Sequence, residues 1–131
     1  MAGVDEILLT LPREDRFYGV AHLVLGGLAA RLNLTLEDLD DLRLAVDTLL
    51  AQQDGGRDVT LRLRVGEGEI EASLGPFASS VHAELREDAG AGVGLRRILD
   101  AVVDHVELGD AQEGAWVTMT KSIAGGAAPR N

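Results

Sequence analysis

The sequence predicts an α+β fold, a two-layer sandwich of one mixed β-sheet with its helices packed on one face. Two observations carry this. Apolar residues alternate at period two in some stretches and recur at helical spacing in others, and these stretches succeed one another in the order βααββαββ. The chain has 131 residues, enough for one core and too few for two ordinary ones. Residues 1–123 are therefore read as a single domain, and residues 124–131 as a frayed tail.

The elements follow in order. Ile7, Leu9 and Leu11 alternate with Leu8 and Thr10 up to Pro12, a first strand. Phe17, Val20, Ala21, Val24, Leu28 and Leu32 keep helical spacing, although Gly19, Gly26 and Gly27 weaken that helix or let another backbone approach it. After Asn33-Leu34, the segment Thr35-Leu-Glu-Asp38 opens the clearest helix. Thr35 can cap it, and acids at 37, 38, 40 and 41 suit the positive end of its dipole. Leu39, Leu42, Val46, Leu49 and Leu50 form its apolar stripe, and Asp54-Gly55-Gly56 stops it.

Val59, Leu61, Leu63 and Val65 alternate with Thr60, Arg62 and Arg64, a half-buried strand. Gly66-Glu67-Gly68 turns the chain, and Ile70, Ala72 and Leu74 return as the hairpin partner. The stretch from Gly75 to Ala89 lacks periodicity and reads as a loop with at most a short helical turn. Leu95, Ile98, Leu99 and Val102 make a third helix, Val106 and Leu108 a brief strand, and Trp116 to Ser122 the last strand.

Composition narrows the function classes. Aromatics are only 3%, so Leu, Val, Ile and Ala must build the core, and the absence of cysteine excludes disulfides and thiol chemistry. The N-terminal Met1-Ala-Gly-Val-Asp-Glu has neither a basic nor an apolar signal region, and no apolar run approaches the about 18 residues of a membrane span. A cytoplasmic location is expected. With 22 acidic and 12 basic residues the net charge is −10, which disfavours nucleic acid and anionic lipid and would steer a basic protein partner. Solubility alone explains such a charge equally well.

One motif points to chemistry. Gly90-Ala91-Gly92-Val93-Gly94-Leu95 runs straight into the third helix. Alternate glycines let a backbone approach a phosphate, and the helix start adds free N–H groups and partial positive charge. The plainer reading is a flexible hinge. Arg96 and Arg97 oppose the dipole at that helix start, so a phosphate or an acidic partner could compensate them. Arg62 and Arg64 share a strand face, open to a partner or simply to solvent. His22, His82 and His105 are scattered and carry no site assignment, and Trp116 reads as sheet packing.

The helix segment Asp38-Leu-Asp-Asp-Leu-Arg-Leu-Ala-Val-Asp47, the later Gly90–Leu95 motif and the closing Trp116-Val-Thr-Met-Thr-Lys121 together resemble the anti-sigma-factor serine kinases of partner-switching systems. These are small members of the histidine-kinase, gyrase and Hsp90 family of ATPases, with a Bergerat-type fold. The likeness runs from about Ile7 to about Ile123. It implies ATP and Mg²⁺ as cofactors, a sigma factor and a small anti-anti-sigma protein as partners, and a homodimer. It implies no direct role for nucleic acid or membrane.

The resemblance also assigns positions. In that family the helix carries a Glu as general base and, four residues later, an Asn for Mg²⁺. Here those positions hold Thr48 and Gln52. Threonine takes no proton near neutral pH, and Gln52 keeps an amide oxygen one methylene farther out. Asp47 should point about 100° away from Thr48 around the helix. The family's adenine-reading Asp, after the second hairpin strand, is replaced by Leu74. Gly90, Gly92, Gly94 and Leu95 carry over intact and, with Gln52, form the expected nucleotide-binding set. No catalytic residue and no metal ligand is expected. The leading expectation is a regulatory anti-sigma-factor-like protein with a degenerate ATP site. The alternatives are an active ATP-dependent serine kinase or ATPase, and a non-catalytic dimerisation partner of an intact paralogue.

Overall fold

The computed structural model describes residues 5–52, 58–86, 94–111 and 114–123. Five strands form one sheet: β1 (Asp5–Leu11), β2 (Val59–Gly66), β3 (Glu69–Phe77), β4 (His105–Ala111) and β5 (Gly114–Ser122). Their spatial order is β1-β2-β3-β5-β4, and every neighbouring pair is antiparallel. The helices are α1 (Tyr18–Leu32), preceded by a single 3-10 turn at Asp15–Phe17, α2 (Leu36–Leu50), α3 (Ser79–Arg86) and α4 (Leu95–Val102).

Alternation along the strands decides the layers. Val59, Leu61, Leu63, Ile70, Ala72, Leu74, Ala115, Val117 and Met119 are buried in one core with Leu25, Leu42, Leu49 and Leu99 of the helices. Each fully buried leucine contributes about 1.5–3 kcal/mol relative to exposure. The intervening residues form the other face, where Thr10 meets Thr60 at 2.9 Å between hydroxyls and Ser73 meets Thr118 at 3.0 Å. The two-layer α+β sandwich expected from the sequence is therefore present, with a sheet that is antiparallel throughout where a mixed one was expected.

The stretch after Gly75 differs from its expected loop. Gly75 to Phe77 continue β3, and residues 79–86 form α3. Among the described side chains of α3, Val81 and Leu85 are buried, four residues apart. One pair of apolar residues is too short a signal to stand out as a period, and packing against α4 and β5 supplies the rest. The last two strands pair as a hairpin, Val106 opposite Met119 and Leu108 opposite Val117. Among the described residues no helix is long and apolar enough to cross a membrane.

Candidate nucleotide-binding site

Helix α2 carries Thr48 and Gln52 follows just past its end, and local chemistry sets where the helix begins. Asn33 closes α1 with a left-handed backbone (φ 58°), a conformation asparagine tolerates. Two residues on, the Thr35 hydroxyl accepts the Asp38 N–H at 3.0 Å, which caps α2 as expected. From that start the stripe Leu42, Ala45, Val46, Leu49 and Leu50 faces the core. Asp47 and Thr48 are left on the half-buried flank.

These flank positions are committed to local bonds. The Thr48 hydroxyl donates to the Leu44 carbonyl at 2.7 Å. The Gln52 side-chain amide donates to the Thr48 carbonyl at 3.0 Å, while its backbone N–H reaches the Leu49 carbonyl at 3.1 Å. Gln52 thus serves as a C-terminal cap of α2, with its amide oxygen pointing away from that bond. Asp47 does turn away from Thr48, as the helix period requires. Its Oδ1 lies 2.5 Å from Nε2 of His22 on α1. The sequence offered no partner for His22; the two residues stand 25 apart and no local spacing links them.

Leu74 is fully buried in β3, paired with Leu61 on one side and Val117 on the other. It presents no group that can hydrogen-bond a base. Just beyond it, the Arg13 guanidinium donates to the Pro76 carbonyl and lies over the Phe77 ring, 5.1 Å from its centroid. The link after β1 is thereby fastened to the end of β3.

Of the glycine motif, Gly90 and Gly92 lie outside the described residues. Gly94 takes the cap position of α4 with extended backbone, and its carbonyl accepts the Ile98 N–H at 3.1 Å. Leu95 starts the helix with its side chain buried. Helix α4, which Leu95 opens, packs on α2. Arg96 finds its compensation within the chain. Its Nε donates to Asp100 at 3.2 Å and its terminal nitrogen to the Leu85 carbonyl at 3.2 Å, where α3 ends. Arg97 remains exposed.

The acidic run on α2 has a second task besides complementing the dipole. Asp41 accepts from Lys121 Nζ of β5 at 2.9 Å, tying the helix layer to the sheet. Burial works to lower the Lys121 pKa. The Asp41 hydrogen bond and charge, with Asp38 and Asp104 farther off, outweigh it and leave the pKa raised. Arg62 and Arg64 sit on the open sheet face, 3.6 Å from Glu6 and 3.7 Å from Glu71, and bring nothing to the helix-side site. Among the described residues no cluster of His, Cys, Asp and Glu has the geometry of a metal site.

No family model matches the sequence. The chain is 27% identical to the serine-protein kinase RsbW of Bacillus velezensis, over 94% of its own length and 89% of that relative. It is 24% identical to serine-protein kinase RsbW of Bacillus subtilis, with the same coverage. For the Listeria innocua protein of that name the identity is 26%, over 91% of this chain and 88% of the relative. Among solved structures, the RsbU and RsbW domains of a Mycobacterium tuberculosis protein match with TM-score 0.62 and 14% identity. That match covers 91% of this chain but spans only 32% of the larger one, so it speaks for the fold alone.

Proposed function

We propose that this chain, RsbW-like in sequence and in fold, is a regulatory anti-sigma-factor-like protein with a degenerate ATP site. It works by binding a sigma factor and a small anti-anti-sigma antagonist in a partner-switching system, in the cytoplasm and as a homodimer. The likeness to RsbW proteins over nine-tenths of the chain is the observation that supports this class. The reading of the site rests on side chains. Leu74 fills the core where an adenine-binding acid belongs, and Thr48 spends its hydroxyl on its own helix where a general base belongs. Gln52 as a helix cap offers one amide oxygen at most, poor support for Mg²⁺, which requires near-ideal geometry.

Calorimetric titration with ATP and ADP, with and without Mg²⁺, tests the degenerate site. No heat at millimolar nucleotide is expected, and micromolar binding would overturn it. Capture from the source bacterium's own cytosol tests the partners. The expected catch is a sigma factor and its antagonist, and recovery of neither defeats the regulatory reading.

The names of the relatives favour a second reading, an active serine kinase. Phosphate transfer from labelled ATP to the captured antagonist distinguishes it, and the proposed protein transfers none.

A further inference from the structure

The helices bury their apolar residues against one face of the sheet. The other face carries mostly polar side chains, and most of these satisfy one another. Thr10 bonds Thr60, Ser73 bonds Thr118, Arg62 faces Glu6 and Arg64 faces Glu71. Two residues of this face stand apart. Trp116 of β5, the single tryptophan of the chain, is half-buried there. Glu107 of β4 is exposed and, among the described residues, makes no ion pair.

Two glycines define how the indole lies. A Cβ added at Gly75 of β3 would meet ring atom Cδ2 at 2.5 Å, with Cγ at 2.8 Å and Cε2 at 2.9 Å. The nearest ring atom has its two bonded neighbours at almost equal distance, so the added atom would stand over the ring and not beside its edge. The indole therefore lies face-down on Gly75, and its other face turns away from the sheet. On the opposite side, Gly109 of β4 is the cross-strand partner of Trp116, and a Cβ there would meet nothing within 4 Å. The ring leans toward β3 and leaves an open notch over β4. Glu107 stands two residues along β4 on the same face, diagonal to Trp116 and within reach of a long side chain.

We propose that Trp116, Gly109 and Glu107 form a seat for an arginine side chain presented by a basic protein partner. The guanidinium lies flat on the free face of the indole, and its N–H groups turn over Gly109 toward the Glu107 carboxylate. A planar cation matches both groups at once: the ring face attracts positive charge, and the carboxylate accepts a forked pair of hydrogen bonds. Lysine suits the carboxylate but offers no plane to lay on the ring. The chain's own cations do not fill the seat. Arg62 stands in the same cross-strand row as Glu107 but three strands away, about 14 Å at the usual strand spacing, and is held by Glu6. His105, on the same strand face, makes no ion pair with Glu107. A net charge of −10 draws a basic partner to this surface, and tryptophan and arginine are residues that most often carry binding energy at protein interfaces. The seat lies on the sheet face opposite α2 and α4, so a partner held there leaves the helix layer uncovered.

Because the chain has one tryptophan, its fluorescence reports this seat alone. The probes are an acetylated, amidated diarginine peptide and its dilysine counterpart, titrated into the protein at low ionic strength. The diarginine peptide should change the indole emission and bind at least about threefold more tightly than the dilysine peptide. Glu107→Gln should weaken it about fivefold. Gly109→Val, which fills the notch, should weaken it as much, with neither variant lowering the melting temperature. Equal binding of the two peptides, or wild-type binding by either variant, assigns the attraction to the diffuse charge of the chain and overturns the seat. A response to cellotetraose with none to the diarginine peptide makes the indole a sugar platform and overturns it as well. Unchanged emission at millimolar diarginine peptide has the same consequence.

Discussion

Gly75 lies directly against Trp116: a Cβ at Gly75 would stand 2.5 Å from Cδ2 of the indole. The glycine is there because β3 and β5 are neighbours and the single tryptophan of the chain lies across the strand. Gly75→Ala should therefore force the ring aside and cost about 1–3 kcal/mol, as overpacking does. Thermal unfolding followed by tryptophan fluorescence measures it. The Trp116→Ala background should remove most of the added penalty, a non-additivity expected of residues in contact. An equal loss in both backgrounds would mean the indole is not the obstacle.

Restoring the adenine-reading acid should not restore a nucleotide site. Leu74 is fully buried among Leu61, Val117 and the helices, so Leu74→Asp removes core packing and buries a carboxyl group among apolar side chains that offer it no hydrogen bond. A loss of at least about 3 kcal/mol is expected from urea denaturation, by comparison with buried leucine truncations. ATP titration of the variant should remain flat. A stable variant that gained ATP binding would show that the pocket persists behind the leucine.

Lys121 and Asp41 make stability depend on alkaline pH. The Lys121 pKa is raised above its ordinary 10.5, so between that value and the folded value the folded protein holds a proton the unfolded chain has lost. The contribution is complete below about pH 10.5 and disappears as pH rises through the folded pKa. Melting curves should thus fall more steeply above about pH 10 for wild type than for Lys121→Met. Parallel curves would show that the pair adds nothing. At the acid end Asp104, whose carboxylate accepts the Ser122 N–H at 2.6 Å, has its pKa lowered by that bond. Its small share is present above pH 3.8 and is lost as pH falls through the lowered value.

The α2 cap gives a fourth expectation. Thr35→Ala removes the acceptor for Asp38 N–H and should cost about 1 kcal/mol, whereas Thr35→Ser should retain most of it. Denaturant midpoints with unchanged slope would report the difference as stability alone.

Much of this molecule was legible in its residues. Strict alternation from Val59 to Val65 produced β2, and Thr35 with the stripe Leu42, Val46 and Leu49 produced a capped α2. The replacements Thr48, Gln52 and Leu74 could be read by position against a family pattern. All of these are local: a period, a cap or a turn depends on neighbours within about four residues. Other features took shape only in the folded chain. The order β1-β2-β3-β5-β4 comes from the path through α3 and α4, and α3 itself needs α4 and β5 to lie on. His22 meets Asp47 across 25 residues and Lys121 meets Asp41 across 80. The bare face of the sheet became visible only once helices had covered its other face. Such relationships join residues far apart in the chain, and periodicity carries no information at that distance. Packing of whole elements decided them.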